Sequence, residues 1–306
     1  MAVKDGNGDE LACRDASCAM NIQLLGVPTD INSSYRRGAA AAPEAIRRAW
    51  RRYSEFGNST TECGLEIGAD LQLRDLGDVP ILEQPADHGA IADAAAEAAR
   101  HGPLLCIGGD HSVTFPLVEG LSRAHGPLNL LHFDAHPDLY DDFEGNPRSH
   151  ASPLARIMER GLARRLVQVG IRTWNPHNRA QARRFGVDVV AWADFAPDRV
   201  PIPDGPLYVT CDLDALDPAF APGVSHPEPG GLSVRDIIAV LARLRTGVVG
   251  ADLVELNPAL DVGDSTSIVA VKLLKELAGA IGRSQGGSSV SGTADAQLNQ
   301  PSGGSR

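Results

Sequence analysis

The chain has 306 residues, 43% of them hydrophobic and 22% charged, with a formal net charge of -11. Such a chain can bury a substantial core, and α/β folds of this size often form one domain. The negative charge repels phosphate backbones and anionic lipid, which argues against nucleic acid and membrane surfaces as partners and favours a cationic ligand.

No apolar run reaches the roughly 18 residues needed to span a bilayer. The polar, acidic start MAVKDGNGDE is unlike a signal or transit peptide, so the expected location is cytoplasmic. Cys13, Cys18, Cys63, Cys106 and Cys211 form no CxxC pair and read as reduced core or bystander residues, not a zinc ribbon or disulfide scaffold.

In chain order, residues 1–19 lack apolar periodicity and are expected to be disordered. Then come the apolar run IQLLGV, the amphipathic PEAIRRAWRRYSEF, the run LQLRDL, the helical pattern AIADAAAEAAR, the run LLCIGG and the helical pattern VTFPLVEGLSRAH. The alternation continues as LNLLHFD, PLARIMERG, RRLVQVG, NRAQARRFG, VDVVAW, PLYVTCDLD, VRDIIAVLARLR, GVVGADLVEL and SIVAVKLLKELAGAI. Short apolar runs alternating with amphipathic segments predict an α/β fold: a three-layer α/β/α sandwich around a mainly parallel sheet of about eight strands. No long polar linker interrupts residues 20–282, which read as one domain, and the Gly-, Ser-, Gln- and Asn-rich residues 283–306 are expected to be a disordered tail. The pairs Arg47 and Arg48, Arg51 and Arg52, and Arg164 and Arg165 read as solvated or subunit-facing helix charges.

In sheets of this kind ligands bind outside the carboxyl ends of the strands. Polar clusters follow four of the apolar runs: GGDHS from Gly108, DAHPD from Asp134, DLD from Asp212 and VELNP from Val254. Extended backbone alternates its faces, so Asp134, His136 and Asp138 can project to one side, as can Asp212 and Asp214. With His111 they offer six ligands. Four carboxylates gathered in one place repel one another and raise each other's pKa unless cations neutralise them. Oxygen-rich ligation with two imidazoles and no thiolate suits a divalent ion such as Mn²⁺ better than structural Zn²⁺. Six residues overcrowd one ion but suit two ions a few ångströms apart, an arrangement that makes water acidic and serves hydrolysis. Taken singly, DxD and DxH after a strand are ordinary turn or cap residues, and GGDHS is an ordinary tight turn in which Asp110 or Ser112 caps the next helix. Their joint occurrence carries the argument.

GGDHS, DAHPD and DLDALDPAFAPG resemble the motifs of the ureohydrolase superfamily, the arginases and agmatinases, over nearly the whole expected domain. FEGNPRSHASPLARIMERG and GVSHPEPGGLS are most similar to the plant-type arginases. This resemblance implies an arginase-like fold and two Mn²⁺ per subunit. His111, Asp134, Asp138 and Asp212 would hold one ion and Asp134, His136, Asp212 and Asp214 the other. It implies a catalytic set of Asp138, His150 and Glu255, in which Glu255 pairs with the guanidinium and His150 passes a proton to the leaving amine. The bland alternatives are a strand-end Glu255 paired with an arginine and a surface His150 at a helix start.

The implied substrate is a cationic guanidino compound, L-arginine first, cleaved to urea and L-ornithine. Agmatinase, guanidinobutyrase and a non-catalytic subunit of the same fold are the alternatives. The loop LYDDFEGNPRSHASP departs from the animal arginases, and Asn175 stands near the place where those enzymes carry an aspartate for the α-amino group. A homotrimer or homohexamer is implied. Outside these roles, His132 reads as a core histidine, Asp141 and Asp142 as loop charges, Asp217 and Asp110 as turn-holding residues, and His226 as a residue of either the substrate mouth or the loop surface.

Overall fold

The apolar runs pair side by side. The computed structural model describes residues 19–53, 59–245 and 247–285. Among these residues the strands are β1 (Met20–Gly26), β2 (Leu71–Asp78), β3 (Leu104–Ile107), β4 (Leu128–Phe133), β5 (Ala163–Val169), β6 (Asp188–Val190), β7 (Leu207–Asp212) and β8 (Val248–Val254). They form one eight-stranded sheet in the order β2-β1-β3-β8-β7-β4-β5-β6. Every pairing between these strands is parallel. The helices are α1 (Ala42–Tyr53), α2 (Asp87–Ala99), α3 (Thr114–His125), α4 (Pro153–Glu159), α5 (Pro176–Phe185), α6 (Val234–Leu241) and α7 (Ser265–Gln285).

Strands β3, β4, β7 and β8 are buried along their whole length, which is why their sequences are continuous apolar runs. Alternate residues serve opposite faces. Leu105, Leu131, Phe133, Val209 and Leu253 pack with Trp50 of α1, Ile237 of α6 and Leu274 of α7. Leu104, Cys106, Leu130 and Tyr208 pack with Ile91 of α2, Leu117 of α3 and Ile157 of α4. The three-layer expectation is met.

Two sequence readings are corrected. Residues 283–285, expected to open the disordered tail, are helical instead, because α7 runs through Gln285. Arg283 donates to the carbonyls of Leu241 and Leu244, Ser284 accepts from Val248 N, and Gln285 donates to Val248 O. These polar side chains find main-chain partners on α6, the turn after it and β8, which composition does not reveal. Residues 1–18 and 286–306, the greater part of both expected tails, lie outside the described residues. Arg47 is not a solvated helix charge. Its side chain is 12% exposed and pairs with Asp75 at 2.9 Å and with Asp78, tying α1 to β2.

Strands β3, β8, β7 and β4 are neighbours at the middle of the sheet. Their carboxyl ends therefore deliver four polar segments to one place.

Candidate metal centre

After β3 the chain turns through GGDHS. A side chain on Gly109 would meet the Thr29 carbonyl oxygen at 1.8 Å, so the turn requires glycine there. Asp110, fully buried, accepts bonds from Asn32 N, Ser33 Oγ, Ser112 N and Ser112 Oγ, and it holds the turn as the sequence suggests. The next residue, His111, is thereby fixed over the ends of β4 and β7.

The six expected ligands converge. His111 Nδ1 lies 3.0 Å from Asp138 Oδ2, 3.1 Å from Asp134 Oδ2 and 3.3 Å from Asp212 Oδ2. His136 Nδ1 lies 3.0 Å from Asp214 Oδ2 and 3.4 Å from Asp134 Oδ1. Asp134 therefore turns one oxygen to each imidazole and stands between two half-sites. Main-chain donors hold the acids in place: His136 N bonds Asp134 Oδ1, Ala135 N bonds Asp214 Oδ1, and Asp214 N bonds Asp212 Oδ1. Asp138 adopts a left-handed backbone with φ of 50°, an uncommon conformation for a non-glycine residue and one that clusters at functional sites.

The electrostatics reflect how closely the buried acids are gathered. Burial, then Asp214 and Asp134, raise the Asp212 carboxyl well above the usual range; burial and Asp134 raise Asp138 in the same way. Asp214 is pushed up to about 6, with burial and Asp134 outweighing the attraction of His136. Asp134 goes the other way: burial opposes its charge, but His132, His111 and His136 hold it well below the carboxylate range. Burial opposes charge on His136 too, yet Asp214 and Asp134 push it up to about 12. His111 is likewise raised, as the acids around it overcome burial. Buried acids this close favour positive charge beside them, and a divalent cation would supply it.

The donor atoms fit such an ion. His111 Nδ1 is buried without a hydrogen-bond partner despite the three nearby oxygens, because none meets it in hydrogen-bond geometry. Ligand atoms of Asp134, His136 and Asp214 lie within 4.8 Å of one another, as do those of His111, His132 and Asp134. In the second group His132 is committed elsewhere. Its Nδ1 accepts from Gln168 Nε2, so its Nε2–H donates to Asp134 Oδ2 at 2.8 Å. It is the core histidine the sequence suggests, with the added task of bracing Asp134.

A cavity of about 490 Å³ opens over the acids, and Glu255, His150, His226, Asn175 and Tyr140 line it. Glu255 has φ of 67° and its Oε1 accepts His111 N at 2.8 Å. Its charged partner is not an arginine but His150, whose Nδ1 lies at 3.2 Å and whose Nε2 bonds Ser34 Oγ at 2.9 Å. Burial lowers and Glu255 raises the His150 pKa, which ends at about 9; Glu255 itself is lowered despite burial, chiefly by His150. With a side chain 12% exposed, His150 is not a surface residue.

Asn175 reaches the cavity with both ends of its amide engaged. Its Oδ1 caps α5 at Asn178 N, and its Nδ2 donates to the Tyr140 hydroxyl. His226 belongs to the mouth, its ring 4.9 Å from that of His150, and burial together with His150 lowers it to about 4. Asp217 holds its loop through Ala219, Gly230 and Gly231, and Asp141 and Asp142 stay exposed.

Sequence reasoning did not single out Ser34, Tyr140, Trp174 or Arg172, which also line the cavity. Tyr140 was within reach, two residues past the DAHPD acids. Ser34 comes from a distant loop with no signal of its own. Arg172 faces the cavity, but its guanidinium is spent on the carbonyls of Gly170, Asp214, Ala215, Leu216 and Glu228.

A parallel sheet delivering a carboxylate-imidazole cluster and the cavity above it to its carboxyl ends defines the arginase-fold class, hydrolases of amidine C–N bonds. The Arginase family model matches residues 20–279, and the chain belongs to that family. It is 47% identical over 278 residues to Arginase 1, mitochondrial, of Arabidopsis thaliana, covering 85% of this chain and 81% of that protein. Arginase 2, chloroplastic/mitochondrial, of the same plant is 46% identical over 273 residues, covering 83% and 79%. The solved arginase of Medicago truncatula superposes with a TM-score of 0.79 at 44% identity, covering 86% of this chain and 88% of that one. These organellar relatives overturn the cytoplasmic expectation. The polarity of the first residues carries no location.

Proposed function

We propose that the protein is a binuclear manganese ureohydrolase that cleaves L-arginine to L-ornithine and urea. The observation that carries this reading is Asp134, one carboxylate oxygen toward His111 and the other toward His136, beneath a cavity that ends in Glu255. His111, Asp134, Asp138 and Asp212 would hold one ion, and Asp134, His136, Asp212 and Asp214 the other. When bound, the two ions supply acidity, bringing the pKa of water low enough to give a nucleophile near neutral pH.

The rest falls to the protein. Glu255, kept ionised by His150, pairs with the planar guanidinium and holds its carbon over the acids. Water adds to that carbon, the bond from carbon to the alkylamine nitrogen breaks, and urea leaves. His150 carries a proton at neutral pH and delivers it to the departing nitrogen.

At the mouth Glu228 lines the cavity while Arg172 is already bonded to carbonyls. That balance favours a substrate with a distal ammonium, as in L-arginine and agmatine, over a guanidino acid ending in a lone carboxylate. The relatives named arginase support arginine. The test is urea release by Mn²⁺-loaded protein from L-arginine, agmatine and 4-guanidinobutyrate, with kcat/KM expected to be highest for L-arginine. A higher value for agmatine would make the protein an agmatinase, and no urea from any of the three would end the ureohydrolase reading. We further propose a homotrimer or homohexamer, to be measured by light scattering.

A further inference from the structure

Gln168 on β5, His132 on β4, Thr210 on β7 and Asp252 on β8 are register partners across adjacent strands. All four have no solvent exposure. They form a polar row just beneath the acids, inside a sheet whose neighbouring positions are apolar. Burying a carboxylate and three further polar groups is unfavourable unless each is bonded, and packing alone would be served as well by aliphatic side chains.

We propose that this row is a positioning layer for the metal centre, in which Asp252 acts through Thr210 to fix the orientation and tautomer of His111. The inference rests on the reading of His111 as a metal ligand. Asp252 Oδ2 accepts from the hydroxyls of Tyr208 at 2.7 Å and Thr114 at 2.8 Å, and its Oδ1 accepts from Thr210 Oγ1 at 2.6 Å. Thr210 has one hydroxyl proton, and the carboxylate takes it. The oxygen that remains is an acceptor, and it faces His111 Nε2 at 2.9 Å. Nε2 must therefore carry the ring proton, which directs the Nδ1 lone pair toward Asp134, Asp138 and Asp212.

The same logic runs at the other end of the row. Gln168 Nε2 donates to Pro137 O at 2.7 Å and to His132 Nδ1 at 3.1 Å, so His132 presents its Nε2–H to Asp134. Each half thus aims one ligand atom: Thr210 and Asp252 aim a nitrogen, Gln168 and His132 a carboxylate. Partners of this kind set ring orientation and ligand basicity at metal sites.

The experiment uses the full chain stripped of metal, with Mn²⁺ alone as the probe in titration calorimetry. Thr210→Val keeps the shape of the side chain and removes the acceptor, and Mn²⁺ binding should weaken by about tenfold to a hundredfold. Thr210→Ser restores the hydroxyl and should bring affinity back to within about threefold of wild type. Thr210→Val binding Mn²⁺ as tightly as wild type would overturn the proposal, as would Thr210→Ser failing to rescue it. If Thr210→Val does not give the wild-type circular dichroism, Asp252→Asn carries the test: Thr210 loses its charged acceptor, and Mn²⁺ binding unchanged from wild type would again overturn the proposal. Urea assays separate this from the reading on which it rests. Weakened Mn²⁺ binding by Thr210→Val in a protein whose wild type releases no urea keeps the positioning layer and removes the ureohydrolase. Full urea turnover by the wild type with unchanged Mn²⁺ affinity in Thr210→Val does the reverse.

Discussion

The floor and the mouth of the cavity are built differently. At the floor, Asp134, His111, Asp212 and Asp214 sit at strand ends, have side chains at most 5% exposed and are held by main-chain donors and by one another. At the mouth, Tyr140, Trp174, Asn175 and Glu228 come from loops and a helix start, and each is partly exposed. Strand ends give fixed geometry, which suits bond-breaking chemistry. Loops give a surface that can change without disturbing the sheet, which suits the choice of substrate.

That contrast can be broken from the floor outward. Asp134→Ala removes the carboxylate common to both half-sites and should cut urea release by about a thousandfold or more; a variant with wild-type turnover would erase the distinction between floor and mouth. Stripping the metal should abolish turnover as well and lower the melting temperature, because an ion held at about a hundred times its Kd stabilises the folded state by about 2.7 kcal/mol.

His150→Asn, one step above the floor, should lower kcat by about a hundredfold. His150 has a folded-state pKa raised to about 9, so it keeps its proton through neutral pH and loses it as pH rises through that value. The wild-type rate should carry a falling alkaline limb there, and His150→Asn should lack it. The same shift makes the His150–Glu255 pair a stabilising contact that is complete below the unfolded histidine pKa and lost as pH passes about 9. Glu255→Gln removes the charge proposed to meet the guanidinium and should reduce kcat/KM by roughly thirtyfold.

At the mouth the effects should be smaller and fall on KM. Asn175→Ala should raise KM by roughly fivefold, the worth of about one hydrogen bond, and destabilise the fold by about 1 kcal/mol through loss of the α5 cap. A hundredfold fall in kcat from that change would place the mouth in the chemistry and collapse the contrast.

The floor was legible in the sequence and much of the rest was not. Asp134, His136 and Asp138 share strand parity, follow an apolar run and sit in motifs dense with acids, so their convergence needed only the rule that parallel strands meet at their carboxyl ends. Thr210 and Asp252 carry the same parity but look like isolated polar residues in apolar strands, and their meaning appears only when β7 and β8 are paired in register. Ser34 reaches His150 across 116 residues of sequence, a contact no local pattern encodes. Asn175 was singled out for the substrate, but its side-chain carbonyl caps α5 at Asn178 N, a role the sequence analysis did not give it. The end of α7 was misread for the opposite reason: composition weighed the polarity of Arg283 and Ser284 and not the carbonyls waiting for them.

The left-handed backbone at Asp138 gives stability and activity opposite signs at one position. Glycine adopts φ near 50° without the roughly 1 kcal/mol that a side chain adds there, and it would also relieve the repulsion between Asp138 and Asp134. Metal-free Asp138→Gly should therefore melt above metal-free wild type while turning over nothing. A thermostability screen run without metal would select that substitution and reward the loss of the enzyme, so selection on heat resistance alone leads such a scaffold away from catalysis.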